Sequence, residues 1–170
     1  MATRRAAILT LFLGVCLSAQ ADQSAPADYS PFANQQDFLA LVRHYSDLSK
    51  CTQAYLAGHG LDGGGAASAT LAAAVVRAGR GGELLLKTKA LLPPDDTVSR
   101  ILDVDMAAEG ETTKVQLAFL ALAASAMRED WGRGRSLAAL ATAMYYLSSV
   151  TEGQCTASPE FIRFLDKVGS

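Results

Sequence analysis

Apolar side chains recur every three or four residues along most of this chain. In the first long segment they fall at positions 38, 41, 42, 45, 48, 51, 55 and 56. This spacing places side chains on one face of an α-helix, whereas a half-buried strand needs strict alternation. The composition points the same way, because 31 alanines favour helix and only 7% of the residues are aromatic. The sequence therefore predicts an all-α fold.

Capping residues and breaks divide residues 34–170 into a single-domain bundle of about six or seven helices. Asn34 can cap the first helix and Gly58 can end it, and Pro93 and Pro94 stop the helical pattern in the middle of the chain. Further helices are expected over residues 66–78 and 83–92, after Asp95 or Asp96, from Thr112, after a Ser136 cap, and after a Ser158 cap followed by Pro159. Residues 117–127 contain no charge, which predicts a central helix surrounded by its neighbours.

The first 21 residues have the three parts of a secretory signal. Arg4 and Arg5 precede an apolar run over residues 6–17, and small residues end at Ala21, where we expect cleavage. The run is too short to span a bilayer, which argues against an uncleaved anchor, and the eleven uncharged residues 117–127 are also too few, so the mature chain should carry no stable membrane span. A lipoprotein cut before Cys16 is the alternative, although Val15 lacks the small side chain that such a site needs. Residues 22–33 resemble a flexible leader before the helical domain.

Two cysteines remain after cleavage, Cys51 and Cys155. In an oxidising compartment such a pair, with no metal ligands nearby, predicts a structural disulfide. The alternative is two unpaired thiols. Cys51 is expected on the buried stripe of the first helix, where a bridge to the start of the last helix would be shielded from solvent.

Charge and motifs exclude several functions. A formal net charge of −2 offers no footprint for nucleic acid. Gly58 to Gly63 matches the letters of a dinucleotide-binding loop, but a helix and not a strand precedes it, so no cofactor is predicted. His44 and Asp47 are too few for a metal site. No nucleophile with an activating histidine is found, and no catalytic residue is assigned; a two-carboxylate hydrolase stays open, since spatial pairs are invisible in a sequence.

One turn combines residue types that dominate binding energy at protein interfaces. Trp131, the chain's only tryptophan, lies among Arg128, Arg133 and Arg135. We interpret these four residues as a candidate surface for a partner protein. In the alternative interpretation, the tryptophan closes the end of the bundle and the arginines remain solvated.

Two functional hypotheses follow. In the first, the chain is an exported, non-catalytic protein that binds a partner protein in the cell envelope, for example as an immunity or inhibitor protein or as an escort for a secretion component. In the second, it is a small-ligand binder or small hydrolase with a pocket between helices, gated by residues 58–65, with His59 and Asp62 at the mouth. Homodimerisation is compatible with both.

Overall fold

The computed structural model describes residues 28–61, 65–93, 96–103 and 110–168. Within these ranges the chain forms seven α-helices and no strand, which confirms the all-α bundle. The helices are α1 (Gln35–Gly58), α2 (Gly65–Arg77), α3 (Gly81–Leu91), α4 (Thr97–Asp103), α5 (Glu111–Ala126), α6 (Arg133–Ser148) and α7 (Pro159–Lys167), with a 3-10 turn at Ser149–Thr151. The predicted export signal lies outside the described residues.

Side-chain caps set the N-terminal ends of the first and last helices, as predicted. The Asn34 side chain accepts a hydrogen bond from the Asp37 amide at 2.9 Å, and the Ser158 hydroxyl accepts one from the Phe161 amide at 3.1 Å. Helix α6 differs from the prediction, because it begins at Arg133, before the expected Ser136 cap. The extended backbone of Gly132 allows the helix to begin there without a side-chain cap.

Helix α5 packs against α2, α3, α4 and α6, but these neighbours do not surround it, so that part of the prediction for the uncharged segment is wrong, and α6 is the central element. Helix α6 contacts α1, α2, α3, α5 and α7, and a run of buried alanines lets these neighbours approach closely. Helix α5 buries only one side, and its Leu120 and Met127 are 60% and 57% exposed. None of the helices in the described ranges is long and apolar enough to cross a bilayer.

Part of the expected leader packs against the domain. Phe32 is buried, with its ring centroid 6.1 Å from that of Phe38 and 5.9 Å from that of Phe164, so it joins α1 to α7. The carbonyls of Tyr29 and Ser30 lie so close to Gly134 that α6 has no room for a side chain there. Residues 28–33 are therefore held by aromatic packing, while residues 22–27 lie outside the described ranges.

Candidate functional site

A disulfide joins Cys51 of α1 to Cys155, just before α7, with the two Cα atoms 5.8 Å apart. This confirms the predicted pairing. Cys155 is buried, but Cys51 is exposed, so the prediction that Cys51 lies on the buried stripe is wrong. The core side of α1 is formed by neighbours such as Leu48 and Thr52, and Cys51 lies outside it. The bridge therefore fastens the last helix to the first at the protein surface.

The structure places the side chains of Trp131 and Arg128 next to each other at one end of the bundle. Trp131 is only 8% exposed, and the Arg128 guanidinium lies 5.4 Å from its ring centroid. Arg128 also pairs with Asp96 and, at 2.5 Å, with Asp130. The hydrogen bonds between Arg128 and Asp130 raise the pKa of the guanidinium and lower the pKa of the carboxyl. Trp131 thus packs in the core at this end of the bundle, and the charge of Arg128 is compensated.

Arg133 and Arg135 have a different environment. Both are exposed in the first turn of α6, and neither forms an ion pair with a residue in the described part of the chain. Glu129 and Asp130 are exposed in the preceding turn, so this surface carries both signs of charge. Of the four residues predicted to form a partner surface, two present their side chains to solvent.

The outer side of α5 is an apolar surface that the sequence reasoning missed. We define the α5 face as Gln116, Leu120, Ala123, Ala124 and Met127. These positions share the side of the helix opposite its buried residues, and the two alanines are half-buried between the larger exposed side chains. The sequence did carry a signal for this face. A helix without charged residues must expose apolar side chains unless other elements cover it on all sides.

Only one of the two residues of the predicted pocket mouth lies in the described ranges. His59 is exposed, its ring stacks on Tyr55 with 4.0 Å between centroids, and its Nδ1 lies 2.8 Å from the Tyr55 carbonyl oxygen. Asp62 lies outside the described ranges. The other histidine, His44, has Nδ1 3.2 Å from the Ser158 hydroxyl, which links α1 to the cap of α7.

A cleft of about 220 Å³ lies elsewhere, between the end of α6, the start of α3 and the segment around the disulfide. It is lined by Arg80, Tyr145, Ser148, Ser149, Gly153, Cys155, Thr156, Ala157 and Ile162. Among the described residues, no group of histidine, cysteine and carboxylate side chains could hold a metal ion. Arg80 is the only cationic side chain in the lining, so its availability decides which charged ligands the cleft could bind.

Arg80 is already engaged by the protein. Its guanidinium lies 4.7 Å from the ring centroid of Tyr145 and 4.8 Å from that of Tyr146, and its Nε donates to the Glu83 carboxylate at 2.8 Å. Burial opposes the charge of Arg80, but hydrogen bonds with Tyr145 and Glu83 raise its pKa above the ordinary value. Burial, followed by the nearby Glu83 charge, raises the pKa of Tyr146. The charge of Arg80 is thus already held by neighbouring groups of the protein.

The fold and its surfaces define a disulfide-bonded bundle of helices, with a compensated cationic cluster at one end and an exposed apolar helix face. Comparison with models of known protein families, with curated proteins and with solved structures finds no match for this chain.

Proposed function

We propose that this chain is an exported, non-catalytic helical protein that binds a partner protein in the cell envelope, for example as an immunity or inhibitor protein or as an escort for a secretion component. The observation that carries the proposal is the α5 face, where Leu120 and Met127 are more than half exposed and no charged residue intervenes. Exposed apolar surface of this kind on a folded domain is typical of a site that another macromolecule covers.

The disulfide supports the compartment. Bridges such as Cys51–Cys155 form and persist in oxidising compartments outside the cytosol. Arg133 and Arg135 adjoin the C-terminal end of the α5 face through the turn that follows it, and their solvated guanidinium groups suit the polar rim of an interface. Trp131 lies in the same turn and packs in the core.

The proposal is tested by photo-crosslinking in the cell that makes the protein. A photoreactive amino acid replaces Gln116, which is exposed on the α5 face, and in a control it replaces Arg163, which is exposed on α7. We expect Gln116 to give one adduct with a second envelope protein, and Arg163 to give none. Absence of any foreign adduct from Gln116, or the same adducts from both positions, would contradict partner binding through this face.

Export is tested on the same material. The chain recovered from the envelope fraction should begin at Asp22, because the expected cleavage follows Ala21. Mass analysis that instead finds the intact N-terminus in the cytosolic fraction would overturn the assignment to the envelope, whatever the crosslinking shows.

A further inference from the structure

The two cysteines of the disulfide differ in their exposure. Cys51 is exposed on α1, whereas Cys155 is only 5% exposed. Cys155 also lines the cleft beside the end of α6, but so small an exposed fraction gives an incoming thiol little access to it there. In thiol–disulfide exchange, a thiolate must reach the sulfur that it attacks. We infer that Cys51 is a modification site for external dithiols, which open the bridge there, and that Cys155 is the sulfur that they displace.

The exchange is a two-electron reduction of the bridge by the dithiol. One thiolate of the dithiol attacks Sγ of Cys51, the bond between the two protein sulfurs breaks, and Cys155 leaves as a thiolate that takes up a proton. A mixed disulfide now joins Cys51 to the dithiol. The second thiolate of the dithiol attacks its own first sulfur, so Cys51 is released and protonated, and the dithiol ends as a disulfide. The two protons that the dithiol gives up balance the two that the cysteines take up.

Thr151 holds Cys155 in place through contacts that do not depend on the bridge. The Cys155 amide donates to the Thr151 hydroxyl at 3.1 Å, and that hydroxyl donates to the Ser148 carbonyl at 2.6 Å. Thr151 is fully buried in the 3-10 turn that follows α6. After a thiol has joined Cys51, Cys155 therefore stays beside it, and the Cys155 thiolate can attack Cys51 and expel the incoming thiol.

The retained Cys155 thiol determines which class of thiol can open the bridge. A monothiol such as glutathione is expelled before a second molecule completes the reduction, because attack within the molecule has a much higher effective concentration. A dithiol carries its second thiol into the same complex and completes the reduction there. This chemistry concerns the bridge and not the α5 face, so it does not depend on the proposed envelope partner.

Peptide mapping of the exported, oxidised protein tests which sulfur is attacked. The probe is a thioredoxin whose second active-site cysteine is replaced by serine, so that it cannot resolve the mixed disulfide itself. The reaction is stopped with acid, and free thiols are then alkylated in denaturant. We expect the probe on Cys51 and the alkyl group on Cys155, with at least about ten Cys51 adducts for each Cys155 adduct. Equal adducts on the two cysteines, an excess on Cys155, or no adduct would overturn the inference.

Glutathione tests the role of Thr151 as a positioning residue. In the wild type, glutathione should leave the bridge intact, while dithiothreitol at the same thiol concentration opens it. Thr151→Val removes the hydroxyl that holds the Cys155 amide and should raise the fraction of glutathione-modified Cys51 at least about threefold. The matched control is Ser149→Ala, which removes a hydroxyl of the same turn that donates to the Tyr146 carbonyl at 2.6 Å. It should leave that fraction unchanged.

Circular dichroism confirms that both variants are folded, and mass analysis without reductant measures the modified fraction. Accumulation of glutathione on Cys51 of the wild type would show that Cys155 does not expel it. Equal modified fractions in the two variants would show that Thr151 does not position Cys155. Either result would overturn that part of the inference, and the mapping with the thioredoxin probe tests the site of attack without any variant of this chain.

Discussion

Arg80 shows how much a single side chain depends on residues far away in the chain. Its nearest ionic partner, Glu83, is three residues away, but the two rings that its guanidinium faces are on α6. These contacts attach the start of α3 to the end of the central helix. A local motif search finds Arg80 and Glu83 as an ordinary helix-surface pair and gives no sign of the tyrosines.

Replacing Arg80 with glutamine should lower the free energy of unfolding by about 1–2 kcal/mol, because it removes the cation–π contacts and leaves Glu83 without its partner. Urea denaturation followed by circular dichroism measures the change. Arg163→Gln is the matched control: the Arg163–Glu160 pair is more exposed, and its loss should cost no more than about 0.5 kcal/mol. Equal losses of unfolding free energy in the two variants would show that the tyrosine rings contribute nothing to the stabilisation by Arg80.

Tyr146→Phe tests the opposite case, a hydroxyl that the core encloses near Glu83 and Arg80 without a hydrogen bond of ordinary geometry. At pH 7 we expect unfolding free energy to stay the same or rise by up to about 1 kcal/mol, since removing an unsatisfied group relieves its desolvation cost. The pKa of Tyr146 is raised above the ordinary value of 10.0, chiefly by burial. Above pH 10 the unfolded chain therefore loses this proton while the folded chain keeps it, and wild-type stability falls as pH rises.

The alkaline decline should be shallower in Tyr146→Phe. Burial also raises the pKa of Tyr45, which is unchanged in both proteins, so the difference between the two pH profiles isolates Tyr146. Denaturation curves collected from neutral pH to above pH 10 provide the measurement. Parallel alkaline declines would contradict the enclosed position of the hydroxyl.

Among the helices, the ends follow local chemistry and the faces follow packing. The caps at Asn34 and Ser158 form where the sequence predicts them, because a capping side chain needs only amides two or three residues ahead. The start of α6 is less local. Gly134 lies in its first turn against the carbonyls of Tyr29 and Ser30, so the absence of a side chain there is imposed by a segment more than 100 residues earlier.

Two glycine substitutions separate these effects. Gly134 and Gly82 are each the second residue of their helix, yet a Cβ atom at Gly134 would lie 2.1 Å from the Tyr29 carbonyl oxygen, and one at Gly82 meets nothing within 4 Å. Gly82→Ala should stabilise the protein by about 0.4–1 kcal/mol. Gly134→Ala should destabilise it by more than about 2 kcal/mol through the steric overlap. Thermal denaturation checks both, and stabilisation by Gly134→Ala would show that residues 28–30 do not pack on α6.

For the whole molecule, α6 joins two parts of the core, and the disulfide lies within one of them. One buried cluster is centred on α2, α3 and α5, and the other joins α1, α7 and residues 29–32; α6 contributes residues to both. The bridge lies in the second cluster, where only a nine-residue helix, α7, completes the packing. The disulfide therefore attaches α7, a helix that is too short to bury much surface of its own.

Replacing both Cys51 and Cys155 with alanine should lower unfolding free energy by about 4–5 kcal/mol, because a bridge across 104 residues restricts the unfolded chain strongly. This is a large share of the roughly 5–15 kcal/mol that stabilises such a domain. Denaturant titration of the oxidised wild type and the double variant gives the difference. Reduced wild type serves as the control and should match the variant. A loss under about 1 kcal/mol would indicate that packing of Phe161 and Leu165 holds α7 without the bridge.

The sequence by itself determined the helices, several of their ends and the pairing of the two cysteines. The helices and their ends depend on residues that are close in the chain, and two cysteines can pair in only one way. Tertiary structure alone decided that α6 is central while α5 exposes Leu120 and Met127, that Cys51 lies at the surface, and that Trp131 is buried. The physical reason is that an alanine-rich helix can pack on several sides, so its own pattern does not fix which side meets a neighbour; only the positions of the other helices do.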